Sequence, residues 1–117
     1  MQLVTQQFGI VEYTDEMLFT FPSGLFGFES LKKYVVVDDD ETKPFRWLQS
    51  TDEAEVCFPL LDPELFVNSY KEQLPRDFQN GESYILCIVT LRNDKGQMTI
   101  NLKGPLAIDA NSNTGQQ

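Results

Sequence analysis

Ser83-Tyr84-Ile85-Leu86-Cys87-Ile88-Val89-Thr90-Leu91-Arg92 is the longest strand-like run in the chain, and Tyr84 to Val89 are apolar at every position. A strand with one wet face alternates apolar and polar residues, whereas an unbroken apolar run needs cover on both faces. The run therefore predicts a central, doubly covered strand. Shorter strand signals surround it. Leu3 to Phe8 and Ile10 to Thr14 flank Gly9, as one strand broken by a bulge or as a tight hairpin. Met17 to Phe21, Tyr34 to Val37, Phe45 to Gln49, Glu55 to Leu61, Met98 to Leu102 and Leu106 to Ala110 follow. Turn residues separate them, including Ser50-Thr51-Asp52-Glu53 and Asn93-Asp94-Lys95-Gly96. Many short strands with regular turn signals predict a mostly β fold, a small antiparallel β-barrel-like domain.

Two short helical stretches complete the expectation. Glu29 to Lys33 has room for one turn after Ser30. Asp62-Pro63-Glu64 has the cap and first-position proline of a helix start, and Pro75 would stop it. Leu65, Phe66, Ser69 and Tyr70 would share one face of that helix, and Phe66 and Tyr70 read equally well as core or as an exposed anchor. The single domain spans residues 1–110. Residues 111–117, Asn-Ser-Asn-Thr-Gly-Gln-Gln, read as a turn and tail, either loose or cut short before a last strand.

Phe21-Pro22-Ser23-Gly24-Leu25-Phe26-Gly27-Phe28-Glu29 is unusually apolar for a connection. Loops run over the surface because their backbone groups need partners, so a loop this greasy is either folded into the core or offered to a partner. Its two glycines permit positive φ or close backbone approach. Phe21, Leu25 and Phe28 are expected to brace the core, which leaves Phe26, between the glycines, as a contact residue.

At 117 residues the chain forms one domain, and 41% hydrophobic content lines one core. Eighteen acidic residues against nine basic ones give a net charge of −9. That balance speaks against direct nucleic-acid binding and against an anionic membrane surface, and it favours a basic protein partner. No apolar run approaches a membrane span and the start lacks a leader pattern, so a cytoplasmic address is expected. Cys57 and Cys87 lie within apolar strand-like runs and read as free thiols.

The residue inventory offers little chemistry. There is no histidine, which removes the commonest general base and metal ligand. Two cysteines without a CxxC spacing make no zinc site, and Asp38-Asp39-Asp40-Glu41 lacks the alternating ligands of a calcium loop. Gly24-x-x-Gly27 is followed by no Lys-Ser/Thr and makes no phosphate cradle. Glu53 and Glu55 share a strand face, as a glycosidase pair would, but exposed acid pairs on strands are common. No catalytic residue, cofactor or metal is expected. A small-ligand-binding barrel with an acidic mouth stands as the alternative to a protein-binding module.

Four segments carry a resemblance. The glycine-aromatic stretch 21–29, Pro44-Phe45-Arg46-Trp47-Leu48-Gln49-Ser50, Phe58-Pro59-Leu60-Leu61-Asp62-Pro63 with Tyr70, and Asn101-Leu102-Lys103-Gly104-Pro105-Leu106-Ala107-Ile108 with Thr114-Gly115-Gln116-Gln117 resemble the flagellar assembly factor FliW family, in order along the whole chain. The resemblance implies a small β-barrel-like protein of the bacterial cytoplasm without catalytic activity. It would bind flagellin and the RNA-binding translational repressor CsrA, the latter as an allosteric antagonist acting outside the RNA site. Family members generally continue past the Gly-Gln-Gln segment into another strand, which leaves the oligomeric state open with a monomer favoured. For a basic partner the contact candidates are Phe26, Gln49, Asp52, Glu53 and Glu55, with Asp38, Asp39 and Asp40 as a second acidic patch.

Overall fold

Both faces of the Ser83–Thr90 strand are covered. Leu86 and Ile88 point into one cluster with Phe21, Leu48 and Leu60, while Ile85 and Cys87 point the other way, towards Tyr70 and Ala107. The computed structural model describes residues 1–78, 83–90 and 96–117. Among these residues are ten strands: β1 (Gln2–Thr5), β2 (Gly9–Glu12), β3 (Leu18–Thr20), β4 (Lys33–Asp38), β5 (Arg46–Ser50), β6 (Cys57–Leu61), β7 (Ser83–Thr90), β8 (Thr99–Ile100), β9 (Leu106–Asp109) and β10 (Thr114–Gln116). The Asn93-Asp94-Lys95 part of the expected hairpin turn lies outside the described residues.

Seven strands form a closed cycle, β6-β5-β4-β3-β10-β9-β7, sealed where Leu60 and Leu61 of β6 pair with Ile88 and Cys87 of β7. Every neighbour in the cycle is antiparallel except β10 and β3, which run parallel through Thr114 and Thr20. The mostly β, barrel-like expectation is therefore met. Closure leaves no free sheet edge in the cycle.

Pattern explains placement. Successive side chains of β4 point to opposite sides, so Tyr34 and Val36 enter the barrel while Val35 and Val37 face outward. The outward pair is covered by the β1–β2 hairpin, whose Leu3, Phe8 and Val11 lie against Val35, Val37 and Trp47. Phe8 meets Trp47 edge-on at 5.6 Å. Of the two readings of the N-terminal segment, the hairpin is the one adopted, with Gly9 at φ +67. On the opposite flank, residues 63–78 cover Ile85 and Cys87, and the Tyr70 hydroxyl donates to the Leu102 carbonyl.

Three local expectations are corrected. Residues 62–75 form no continuous helix but isolated 3₁₀ turns at Pro63–Leu65 and Lys71–Gln73. Asp62 still caps its turn, accepting from the Glu64 amide at 2.9 Å, yet Ser69 at φ +56 breaks any continuation. Residues 29–33 form a reverse turn, with the Leu31 amide on the Phe28 carbonyl at 3.1 Å, and Lys33 already belongs to β4. Residues 111–117 are no loose tail: after a turn, Thr114–Gln116 enter the barrel between β3 and β9.

Burial sets a prediction. It pushes the Cys57 and Cys87 thiols up to about 11 from an ordinary 9.0. Tyr34, buried and facing the Asp52 charge, goes up to about 12 from 10.0. The fold holds each group neutral, so this contribution is complete below the ordinary values and is lost as pH rises through about 11 to 12. The melting temperature should be level through neutral pH, begin to fall above about pH 9 and fall further towards pH 12. A curve that stays flat across that alkaline range would refute the assignment.

Candidate functional site

The β3–β4 and β5–β6 connections emerge at the same end of the barrel, because Lys33 and Tyr34 at the start of β4 stand beside Ser50 and Thr51 at the end of β5. The Thr51 amide donates to the Lys33 carbonyl at 3.1 Å. This end therefore carries both the connection with Phe26 and the connection with Asp52, Glu53 and Glu55.

The 21–29 loop is built from the inside outward. Phe21 and Leu25 are wholly buried, and Phe21 meets Tyr34 edge-on at 5.6 Å. Phe28 is partly exposed and stacks edge-on against Phe58 at 5.1 Å. Phe26 is thrown out, 71% exposed, while its amide is held by Gln117 Oε1 at 2.7 Å. Gln117 also donates from Nε2 to the Gly104 carbonyl at 3.1 Å, so the final segment fixes the loop. The Glu29 carboxylate accepts from the Gly27 amide at 2.9 Å.

The acidic loop is equally well held. Ser50 Oγ accepts from the amides of both Asp52 and Glu53 at 3.1 Å. The Val56 amide closes a turn on the Glu53 carbonyl, and the Gln6 amide reaches across from the β1–β2 turn to the Ala54 carbonyl at 3.1 Å. Asp52, Glu53 and Glu55 are exposed, and among the described residues none of the three forms an ion pair. Lys32 and Lys33 stand at the same end, on the β3–β4 connection.

Gln49 has to be removed from the contact residues. It is wholly buried on β5, beneath the N-terminal hairpin, and its amide donates to the Ser50 and Ala54 carbonyls at 3.0 and 3.1 Å. Its work is to brace the acidic loop from below. Asp38, Asp39 and Asp40 are separated from that loop by the length of β5, since the β4–β5 connection lies at the other end of the barrel. Their charge is also engaged locally. Asp38 pairs with Arg46 at 3.0 Å, Asp40 with Lys43 at 3.0 Å, and Asp39 Oδ1 accepts from the Glu41 amide.

The flank between β6 and β7 carries a shallow groove of about 680 Å³ bordered by Arg46, Asp62, Leu65, Lys71 and Tyr84. The guanidinium of Arg46 lies 5.4 Å from the Tyr84 ring centre. The barrel interior is packed with Leu48, Leu60, Leu106 and Ile108 among its described residues. Leu65 and Phe66 are exposed, while Tyr70 is core, which separates two residues the sequence left together. Among the described residues, no group of three Cys, Asp or Glu side chains converges as a metal site. No helix among them is long and apolar enough to cross a membrane.

A family model described as "FliW protein" matches residues 2–117. The chain belongs to the FliW family. The flagellar assembly factor FliW of Bdellovibrio bacteriovorus is 38% identical over 125 residues, covering all of this chain and 71% of that protein. That of Leptospira interrogans is 35% identical over 124 residues, covering 99% of this chain and 83% of the relative. A crystal structure of the flagellar assembly factor FliW shares the fold with a TM-score of 0.84, over all of this chain and 86% of that one, at 24% identity. Within this fold the loop at 21–29 is anchored by buried Phe21 and Leu25 and presents Phe26 as its most exposed aromatic.

Proposed function

We propose that this protein is a non-enzymatic flagellar assembly factor of the bacterial cytoplasm that binds the translational repressor CsrA and the filament subunit flagellin. CsrA captured by this protein no longer represses flagellin synthesis, and flagellin competes for the same factor, so free flagellin sets its own rate of production. Family membership supports the reading in outline. The observation that carries the CsrA contact is the loop Asp52, Glu53 and Glu55, exposed, rigidly held and unpaired among the described residues. An RNA-binding protein presents a basic surface, and a −9 domain with three exposed acids on one well-held loop is complementary to it. The Asp38–Asp40 patch, already matched by Arg46 and Lys43, contributes less.

Calorimetric titration of CsrA tests this. Glu53→Lys combined with Glu55→Lys should weaken binding by about tenfold or more at low salt, with the difference shrinking as salt is added. Equal affinities for the wild type and the double variant would remove the acidic loop from the interface. Added flagellin should displace CsrA, and a stable ternary complex would overturn the competition.

A further inference from the structure

The N-terminal hairpin uses only one of its faces to hold the barrel. Leu3 and Val11 are directly paired across β1 and β2 and face inward. Val4 and Ile10 are the next pair, and alternation turns them outward, where they are 68% and 66% exposed. Directly opposed residues in an antiparallel pair bring their Cβ atoms to about 5 Å, so the two form one aliphatic knob.

Acids stand at both ends of that knob. Two residues along the same face, Glu12 pairs with Gln2 across the hairpin and takes a hydrogen bond from its side chain at 2.8 Å. A single cation, the amino group of Met1, lies 4.0 Å from the other Glu12 oxygen. At the opposite end, the hairpin turn is tied through Gln6 and Ala54 to the loop of Asp52, Glu53 and Glu55. Residues 1–31 contain no lysine or arginine, and neither do residues 47–70. Lys32 and Lys33, at this end of the barrel, belong to the β3–β4 connection rather than to the hairpin or the acidic loop.

We infer that Val4 and Ile10 are the apolar anchor of the protein's acidic interface, and that they seat on a basic protein surface presenting an apolar side chain ringed by lysine or arginine. Charge chooses the occupant. A second copy of this chain would bring Glu12 and the 52–55 loop against like charges, whereas a basic partner is attracted to both ends while the aliphatic pair is desolvated at the centre. Interfaces draw most of their energy from a few such central anchors, with the charged rim setting rate and selectivity.

The inference rests on the acidic loop being the CsrA contact, and the test separates the two. Val4→Thr with Ile10→Thr keeps the β-branched shape but removes the aliphatic ends, and should weaken binding to CsrA about tenfold while leaving its salt dependence unchanged. In the wild-type complex, amide exchange across residues 2–12 should slow relative to the free protein, a readout that needs no variant. If the double threonine variant binds like the wild type, or the hairpin amides exchange equally in both states, the anchor is refuted even while Glu53→Lys/Glu55→Lys still weakens the complex. If the wild-type protein forms no complex with CsrA, both readings fall. A wild-type protein that dimerises on a sizing column, and a Val4→Thr/Ile10→Thr variant that does not, would assign the knob to self-association and overturn the proposal.

Discussion

Gly24→Ala should destabilise the protein by about 3 kcal/mol, lowering its melting temperature by on the order of 10 °C. Gly24 sits at φ +67, where any side chain costs about 1 kcal/mol or more. A methyl group there would also come within 2.6 Å of Glu29 Cα and 2.7 Å of the Glu29 carbonyl oxygen. Those are backbone atoms of the same loop, so nothing flexible can yield. Gly27 provides the comparison: it has φ +87 but open space around an added Cβ, so Gly27→Ala should cost only the conformational part, about 1 kcal/mol. Thermal melts of the two variants check the claim. If they melt together, the close approach of Gly24 to Glu29 carries no energy.

The second large effect lies on β10. An added Cβ at Gly115 would stand 2.3 Å from Phe21 Cζ and 2.5 Å from Cε2. The Phe21 ring has no room to retreat, being wholly buried and locked edge-on against Tyr34. Gly115→Ala should therefore cost about 3 kcal/mol through overpacking. Shortening the ring in a Phe21→Leu background should recover much of that loss, so the double variant is more stable than the sum of the single changes predicts. Strict additivity in denaturant titrations would show that the ring and the glycine do not meet.

Legibility followed the strength of the apolar signal. The strands β4 and β7 were visible because Val35-Val36-Val37 and Ile85-Leu86-Cys87 need cover on both faces, and the fold supplies it with a hairpin on one flank and the 63–78 segment on the other. Strand β10 was not visible. Thr-Gly-Gln carries no apolar pattern, and its place depends on a glycine that lets the tip of a distant phenylalanine ring come close. The 62–75 helix failed for a different reason. Its cap and proline were correctly read, but left-handed Ser69 stops the chain from winding on, and Tyr70 goes inward while Phe66 stays out.

Of the site, the exposed acids Asp52, Glu53 and Glu55 and the exposed Phe26 were accessible to reasoning from turn chemistry. Gln49 misled because a polar residue beside a turn reads as surface. Its amide instead satisfies two carbonyls under the hairpin, a role that only the register of β5 discloses. The outward pair Val4 and Ile10 had no signal of their own, since bulge and hairpin readings of that segment place different residues outside.

The parallel contact between β10 and β3 has a consequence for the newborn chain. Thr20 leaves the ribosome well before its partner Thr114 is made. Until then, β3 and β9 present unpaired rims, and the ring of strands stays open however well its middle has collapsed. Shutting the ring therefore joins strands far apart in the sequence, a long-range pairing that forms after the local ones.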